Sequence, residues 1–211
     1  MKISVIDYGI GNVRSILEAF KNESADVTLT SNKSEIIKSD GLVIPGVGSF
    51  SHGMENLISY DLVDTIKEYT SSNKPLLGIC LGMQLLFEES EEFGHTLGLG
   101  LIKGKVVELP TNDNQNEKLP HVSWNEINSK NVNWDKTILE NIDEGSDMYF
   151  VHSFVAQPKD TNQILSLTEY SNHHFCSSVK KDNIYGCQFH PEKSGASGLQ
   201  IINNFIKMSQ A

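Results

Sequence analysis

The first half of the chain alternates short apolar runs with amphipathic stretches, and this alternation limits the possible folds more than any other feature. The apolar runs have the length of buried strands, and the stretches between them have the apolar spacing of helices. This repeated strand–helix order predicts a parallel sheet with helices on both faces. The predicted strands cover residues 3–7, 27–30, 41–45 and 75–79. The predicted helices cover residues 13–21, 34–38 and 54–69. A fourth predicted helix follows Cys80 as an apolar segment through Phe87 and ends at the polar residues Glu88 and Glu89.

The second half is dominated by strands. They are predicted at residues 101–109, 148–155, 164–168, 175–179 and 184–189, and the last two form a hairpin that turns at residues 180–183. Residues 111–118 are polar and predict a loop, and Ser197 and Gln200 have the spacing of a capping box that begins a final helix. Because no linker divides the chain, we predict one domain over residues 1–211, with an open mixed, mainly parallel sheet flanked by helices and extended by antiparallel strands.

Charge and composition exclude several classes of function. The formal net charge is −10 and Arg14 is the only arginine, whereas binding to nucleic acid requires clustered cations. No apolar run approaches the length of a membrane span, and the N-terminus becomes acidic at Asp7, too early for a signal peptide. Three cysteines without a disulfide-like spacing favour a reduced, cytoplasmic protein with no membrane contact.

A cysteine stands between two glycines where the fourth predicted strand meets a helix. The segment Gly78-Ile-Cys-Leu-Gly82 has the form of a nucleophile elbow in which cysteine replaces serine. The partial positive charge at the start of the helix favours the thiolate of Cys80. We expect the amides of Cys80 and Leu81 to face a developing oxyanion. The alternative is a buried cysteine at a tight turn without a chemical role.

The segment Gln188-Phe-His-Pro-Glu192 offers a base for that thiol. In an extended backbone, side chains two residues apart point to the same side, so Glu192 can lie beside His190. A carboxylate next to an imidazole fixes its tautomer and stabilises its charged form. The alternative is a strand-end histidine beside an unrelated acid.

Two further patterns have weaker chemical meaning. The glycine-flanked loop in residues 43–49 can supply backbone amides to an oxyanion hole, or it can be a simple turn between strand and helix. His173, His174 and Cys176 invite a metal interpretation, but no further ligands are evident and structural zinc requires four, so no metal site is predicted. His52 and His95 are expected on the surface.

Three motifs, in this order, resemble those of the class I (triad) glutamine amidotransferases. They are Pro45-Gly-Val-Gly48, Gly78-Ile-Cys-Leu-Gly-Met-Gln84 and Phe189-His-Pro-Glu-Lys-Ser194. Within that family, the segments starting at Ile6, Pro120 and Tyr149 are similar to those of glutaminase subunits of imidazole glycerol phosphate synthases. The resemblance covers nearly the whole chain. It implies a flavodoxin-like arrangement of the predicted sheet, L-glutamine as substrate and no cofactor.

The resemblance also implies a role for each matching residue. Cys80 would attack the side-chain amide of glutamine, His190 would move the protons, and Glu192 would orient His190. The remaining implied residues are the oxyanion donors Val47, Gly48 and Leu81, the substrate-binding residues Gln84, Ser153 and Phe154, and, toward the partner surface and the ammonia exit, Pro120, His121, Trp124, Asn125 and Tyr149.

The predicted elements leave no second domain to consume ammonia. The resemblance implies a heterodimer with a (β/α)₈ barrel cyclase that makes imidazole glycerol phosphate and the aminoimidazole carboxamide ribonucleotide in histidine biosynthesis. Val122 and Ser123 depart from the Met-Gly of the family pattern. That departure leaves open a paralogue that supplies ammonia to a sugar-modifying synthase for surface polysaccharide.

Two rival functions remain open at this level. A related elbow-cysteine hydrolase would cleave γ-glutamyl peptides faster than glutamine, although Gln84 and the spacing of His190 and Glu192 favour glutamine. A pseudo-amidotransferase would only bind a partner. The complete set of Cys80, His190 and Glu192 argues against that second rival.

Overall fold

A computed structural model describes residues 1–11, 13–111, 118–130 and 132–210 of the chain. The first part alternates strands and helices as predicted, because each apolar run is buried between amphipathic helices. The strands are β1 (Lys2–Ile6), β2 (Asp26–Thr30), β3 (Gly41–Ile44) and β4 (Leu76–Ile79), and the helices are α1 (Arg14–Asn22), α2 (Lys33–Lys38), α3 (Phe50–Ser59), α4 (Val63–Ser71) and α5 (Leu81–Leu85).

The second part adds nine strands and one helix among the described residues. They are β5 (Phe87–Ser90), β6 (Thr96–Leu97), β7 (Ile102–Glu108), β8 (His121–Ser129), β9 (Ser146–His152), β10 (Phe154–Pro158), β11 (Ile164–Tyr170), β12 (His173–Lys181), β13 (Ile184–Cys187) and α6 (Gly195–Met208). Strands β12 and β13 form the predicted hairpin, which turns at Asp182 and Asn183.

The strands form two open, mixed sheets. The main sheet has the order β2-β1-β3-β4-β13-β12-β11-β8-β9, parallel from β2 to β13 and antiparallel beyond. A smaller sheet has the order β10-β7-β5-β6. The parallel pairing of β13 with β4 sets Cys187 opposite Ile79, so the residues that follow the two strands leave the sheet side by side. The predicted fold, an open sheet flanked by helices with added antiparallel strands, is confirmed.

Two apolar cores lie on opposite faces of the main sheet. On one face, α1 and α6 pack through Phe20 and Phe205, whose rings meet edge to face at 6.2 Å. On the other face, α2 to α5 and the smaller sheet bury residues such as Phe50, Leu57 and Phe87. Burying large side chains on both faces holds the edge of the sheet that carries Cys80 in a fixed position.

Two helix predictions in the first half were wrong in extent. Residues 54–69 form parts of two helices, because the chain turns between α3 and α4 with Asp61 at a φ of 55°. The helix after Cys80 ends at Leu85, and the chain from Phe87 continues as β5, so Glu88 and Glu89 lie on a strand. In both cases the apolar residues were consistent with one longer helix, and the break was set by packing.

Three details of the second half also differ from the sequence prediction. The strand predicted over residues 148–155 is two strands in different sheets, separated at Ser153. Helix α6 starts at Gly195, so Ser197 lies inside it and Ser194 occupies the N-cap. Strand β8 was not predicted. Most of the loop predicted at residues 111–118 lies outside the described residues.

Candidate active site

Cys80 occupies a strained turn between β4 and α5. Its φ of 54° and ψ of −113° lie far from the helical and extended regions, a strain that is common at functional sites. A Cβ added to Gly82 would lie 1.9 Å from the Ile44 carbonyl oxygen, and one added to Gly78 would lie 2.7 Å from the Gly82 oxygen. Glycine is therefore required on both sides of the turn by close backbone approach.

Only one of the two backbone amides predicted to face the oxyanion is free to do so. The Cys80 amide donates a hydrogen bond to the Cys187 carbonyl at 2.8 Å, continuing the pairing of β4 with β13. Its N–H is therefore engaged in the sheet, and the expectation that it faces an oxyanion was wrong. Leu81 is the first residue of α5, and its amide has no partner within that helix.

The sulfur of Cys80 contacts two polar groups. The side chain is 6% exposed. Its thiol donates toward the Val151 carbonyl at 3.9 Å, and the Gln188 side-chain amide donates to the sulfur at 3.7 Å. The contacts come from β9 and from the segment after β13, so three separate parts of the chain enclose the thiol.

His190 and Glu192 follow β13, and the His190 ring lies close enough to the Cys80 sulfur to interact with it. The His190 amide donates to the Tyr149 carbonyl at 2.9 Å, and residues Pro191–Lys193 form a 3₁₀ turn that brings Glu192 back to the ring. The His190 Nδ1 and Glu192 Oε1 atoms are 2.9 Å apart, and the two side chains are 2% and 1% exposed. Because a carboxylate only accepts, Nδ1 carries the hydrogen and Nε2 is the atom left for Cys80.

The electrostatic balance favours a charged imidazole. Burial lowers the pKa of His190, but the nearby Cys80 and Glu192 raise it more, to about 10. Nε2 makes no aligned hydrogen bond with the described residues. The ring therefore interacts with the sulfur through proximity and charge, and an imidazolium in this position stabilises a thiolate.

A cavity of about 250 Å³ opens onto Cys80. Leu81 and Gln84 line it from α5, Val47 and Gly48 line it from the loop after β3, and Ser153 and Phe154 line it where β9 passes into β10. All of these residues were predicted from the sequence, and the structure brings them to one cavity. Its size suits a small amino acid.

The loop after β3 is wedged against the start of α5. The Tyr8 hydroxyl donates to the Pro45 carbonyl at 2.5 Å. A Cβ on Gly46 would lie 2.8 Å from the Leu81 Cβ and 2.9 Å from the Tyr8 hydroxyl. Gly48 has a φ of 108°, which side chains rarely adopt. These contacts hold Val47 and Gly48 beside Cys80.

Comparison with known proteins identifies this arrangement. The family model described as "Glutamine amidotransferase class-I" matches residues 4–208. The chain belongs to the class I glutamine amidotransferases. It is 46% identical over 210 residues to the imidazole glycerol phosphate synthase subunit HisH 1 of Legionella pneumophila (strain Lens), covering 98% of this chain and 99% of that protein. It is 42% identical over 211 residues to the subunit HisH of Aquifex aeolicus (strain VF5), covering 100% and 98%.

Solved structures agree on the amidotransferase fold. PurLQS from Thermotoga maritima superposes with a TM-score of 0.71 at 17% identity, covering 98% of this chain and 97% of that one. The glutaminase domain of Trypanosoma brucei CTPS superposes with a TM-score of 0.68 at 15% identity, covering 100% and 94%. At these identities the likeness concerns the fold alone.

The amidotransferase cavity contains a carboxylate that sequence reasoning missed. Glu92 lines it and is 8% exposed. Its Oε2 atom accepts a hydrogen bond from the Phe50 amide at 2.6 Å. Burial raises the pKa of Glu92, and the hydrogen bond from Phe50 opposes that rise. No local signal could have identified it, because Glu92 stands in an acidic segment that resembles a solvated surface.

The residues predicted to hold substrate through backbone groups already have partners. The Ser153 carbonyl accepts from the Leu109 amide at 2.8 Å. The Phe154 carbonyl accepts from Gln84 Nε2 at 2.9 Å and lies 3.0 Å from His152 Nδ1. Gln84 is thus fixed by protein contacts as well as facing the cavity.

The residues predicted at the partner surface divide into two groups. Trp124 is 52% exposed on β8, and its ring meets Tyr149 edge to face at 5.8 Å. Asn125 is partly buried beside it, and Pro120 lines the cavity of the amidotransferase. His121 is fully buried, so it does not form part of an external surface.

The remaining histidines and cysteines take no part in this amidotransferase cavity, apart from His152, which lines it. His52 and His95 are exposed, and His95 contacts Glu89 at 2.8 Å. Within the described ranges, no group of three or more His, Cys, Asp and Glu side chains is placed to hold a metal. All three cysteines are free and buried, and none of the described helices is long and apolar enough to cross a membrane.

Proposed function

We propose that this chain is a single-domain glutaminase, over residues 1–211, that hydrolyses L-glutamine to glutamate and ammonia and delivers the ammonia to a partner synthase. The observation that carries the proposal is the position of Cys80, held in a strained turn beside a Glu192-bound His190 and open to a cavity of about 250 Å³. A nucleophile, a base and an orienting carboxylate in this order perform acyl transfer.

The first half-reaction forms a thioester. The Cys80 thiolate adds to the side-chain amide carbon of glutamine, and the amide oxygen takes the negative charge. The Leu81 amide, with an amide of Val47 or Gly48, would stabilise that oxyanion. His190 then gives its Nε2 proton to the leaving nitrogen, the carbon–nitrogen bond breaks, and ammonia leaves a glutamyl thioester on Cys80.

The second half-reaction releases glutamate. With His190 now neutral, Nε2 takes a proton from a water molecule that attacks the thioester carbon. The carbon–sulfur bond breaks and the thiolate of Cys80 is restored. Glu192 accepts the Nδ1 hydrogen of His190 throughout, so the ring keeps the orientation that presents Nε2 to both the sulfur and the water.

Substrate recognition divides between the two ends of glutamine. Gln84, Ser153 and Phe154 line the cavity next to Cys80. The buried carboxylate of Glu92 is suited to the α-ammonium group, because a positive charge there would offset the burial of the anion. A binding cavity that contains this one carboxylate favours a free amino acid over an internal peptide residue, which has no α-ammonium group.

The relatives named above support the imidazole glycerol phosphate synthase of histidine biosynthesis as the pathway. The partner would be a cytoplasmic (β/α)₈ barrel cyclase that uses ammonia to make imidazole glycerol phosphate and the aminoimidazole carboxamide ribonucleotide. Val122 and Trp124 are each 52% exposed on β8, and with Tyr149 they form an apolar surface suited to this partner. The HisH names favour this pathway over the polysaccharide alternative.

The proposal is tested by measuring glutamine hydrolysis with and without the barrel protein. We expect the partner to accelerate hydrolysis, and Cys80→Ala to abolish glutamine-dependent synthesis while leaving synthesis from added ammonium salt. Cys176→Ala is the matched control, since Cys176 is also a buried free cysteine but does not line the cavity. Equal hydrolysis with and without the barrel, or faster cleavage of γ-glutamyl peptides than of glutamine, would overturn the assignment.

Reaction with a diazoketone analogue of glutamine separates a catalyst from an inert scaffold. We expect the analogue to modify Cys80 and to leave Cys176 and Cys187 unmodified. A protein in which Cys80 does not react would be a partner-binding pseudo-amidotransferase.

A further inference from the structure

Strand β8 begins a line of hydrogen bonds that leads inward from one of its faces. The His121 Nε2 atom lies 2.9 Å from the Ser123 hydroxyl and 2.8 Å from Asn125 Oδ1. On the other side of the ring, His121 Nδ1 lies 3.0 Å from His152 Nε2. Ser123 and Asn125 are partly buried, on the face of β8 opposite Val122 and Trp124, so the line starts at partly exposed side chains.

The same line continues to the nucleophile. His152 Nδ1 is 3.0 Å from the Phe154 carbonyl oxygen, which also accepts from Gln84 Nε2 at 2.9 Å. Gln84 Nε2 is also 3.0 Å from Gln188 Oε1, and Gln188 Nε2 is 3.7 Å from the Cys80 sulfur. Apart from the link between His152 and Phe154, which are two residues apart, each of these links joins groups that are distant in the sequence.

Both histidine rings are buried and held by aromatic neighbours. His121 is fully buried, stacked on Tyr170 at 4.0 Å and on Phe150 at 5.2 Å. His152 is 7% exposed and contacts Phe175 at 5.0 Å. These contacts fix the ring planes and leave the ring nitrogens only the partners in the line.

Burial keeps the pair neutral. It lowers the pKa of His152 to about 3, with the His121 and His190 rings acting in the same direction and the Phe154 carbonyl opposing it. Burial also lowers the pKa of His121, against a hydrogen bond with Asn125. Among the described titratable groups, Tyr170 stacks on the ring of His121 and His190 acts on His152. At neutral pH each ring of the pair therefore carries one hydrogen.

The acceptor at the inner end determines where the hydrogen of His152 lies. The Phe154 carbonyl only accepts, so His152 carries its hydrogen on Nδ1 and presents a lone pair on Nε2. At the outer end, the Ser123 hydroxyl donates to Asn125 Oδ1, and His121 Nε2 lies 2.8 Å from that same oxygen. The hydrogen of Ser123 is thus already engaged, and Phe154 sets the tautomer of His152.

We propose that His152 is a positioning residue of the glutamine site, whose Nδ1–H holds the Phe154 carbonyl for Gln84, and that the buried ring of His121 keeps His152 in place. This inference rests on the proposed glutaminase function only in naming glutamine as the ligand.

The first test compares two substitutions of His152 in a Cys80→Ala background. The asparagine amide can place a donor near the position of Nδ1, and the glutamine amide reaches the position of Nε2 but not the Phe154 carbonyl. Calorimetric titration with L-glutamine should show roughly three- to tenfold weaker binding for His152→Gln, the range expected for a lost buried hydrogen bond. His152→Asn should weaken binding by a clearly smaller factor.

The same two substitutions at an exposed histidine serve as controls for the changes at His152. His95→Gln and His95→Asn change an exposed histidine and should leave glutamine binding unaltered. Equal weakening by His152→Gln and His152→Asn would overturn the role of the Nδ1 donor. Failure of the Cys80→Ala protein itself to bind glutamine would instead count against the proposed function.

The second test reads the tautomer directly and needs no ligand. Nitrogen NMR of the full chain with labelled imidazoles should show His152 with hydrogen on Nδ1. Ser123→Ala should leave that tautomer unchanged, because the Phe154 carbonyl sets it. A wild-type His152 with hydrogen on Nε2, or a His152 that changes tautomer in Ser123→Ala, would refute the proposal.

Discussion

A methyl group added at Gly82 should push apart the two elements that border the glutamine site, the end of β3 and the start of α5. The added Cβ would lie 1.9 Å from the Ile44 oxygen and 2.7 Å from the Ile44 carbonyl carbon, both backbone atoms, whereas ordinary van der Waals contact begins at 3.4 Å. The end of β3 and the start of α5 must therefore move apart by about 1.5 Å. Ile44 leads into the loop of Val47 and Gly48, and α5 carries the Leu81 amide.

The expected effect on catalysis follows from that displacement. A misplacement of about 1 Å in a reacting geometry costs roughly 100-fold, so Gly82→Ala should reduce kcat/KM for glutamine hydrolysis by at least about 100-fold. Overpacking should also lower the free energy of unfolding by about 1–3 kcal/mol. Steady-state hydrolysis and urea unfolding on the same preparations measure both effects.

Alanine substitutions at two other glycines should have progressively smaller effects on activity. At Gly46 the added Cβ would lie 2.8 Å from the Leu81 Cβ, 2.9 Å from the Tyr8 hydroxyl and 3.1 Å from the Gly82 nitrogen, so the overlap is smaller than at Gly82. Gly46→Ala should therefore fold and lose activity by a smaller factor. At Gly11 no atom of the described residues lies within 4 Å of the added Cβ, so Gly11→Ala should behave like the wild type. A Gly82→Ala protein within about threefold of Gly11→Ala, or one more active than Gly46→Ala, would refute the reasoning.

Three further substitutions test the charges of the site. Glu192→Gln should reduce glutamine hydrolysis by roughly 10⁴-fold, since an amide can hold the wrong tautomer. An NMR titration should find the pKa of His190 lowered, because the carboxylate raises it. Unchanged activity would exclude an orienting role for Glu192. Glu92→Gln should raise KM for glutamine about tenfold, the cost of a lost hydrogen bond to a charged group. It should hardly change KM for 4-carbamoylbutanoate, which lacks the amino group. Equal effects on both substrates would contradict binding of the α-ammonium group by Glu92. His152 has a pKa lowered to about 3 in the folded state, so its contribution to stability is present above its unfolded pKa near 6.5 and is lost as pH falls. Between pH 7.5 and pH 5, the free energy of unfolding of the wild type should fall by about 2 kcal/mol more than that of His152→Asn, as measured by urea unfolding. Parallel pH dependences of the two proteins would exclude a neutral buried ring.

Local patterns were enough to predict most of the strands and the elbow. The strand–turn–helix around Cys80 depends on an apolar run, two glycines and an apolar helix, all adjacent in the chain. The pairing of His190 with Glu192 is similarly local, because only Pro191 separates them. The boundaries within residues 54–69 and 148–155 were less predictable, because continuous apolar spacing does not reveal where packing turns the chain.

Contacts between distant segments were decided by the tertiary structure. The sequence places Cys80 and His190 in separate motifs, and the pairing of β13 beside β4 brings them together. That same pairing engages the Cys80 amide, which local reasoning had left free. Glu92 enters the cavity, and His121 leaves the surface, through the packing of strands far apart in the chain. Residue patterns encode local conformation and burial, whereas hydrogen bonds across a sheet depend on strand order and register, which several distant segments fix jointly.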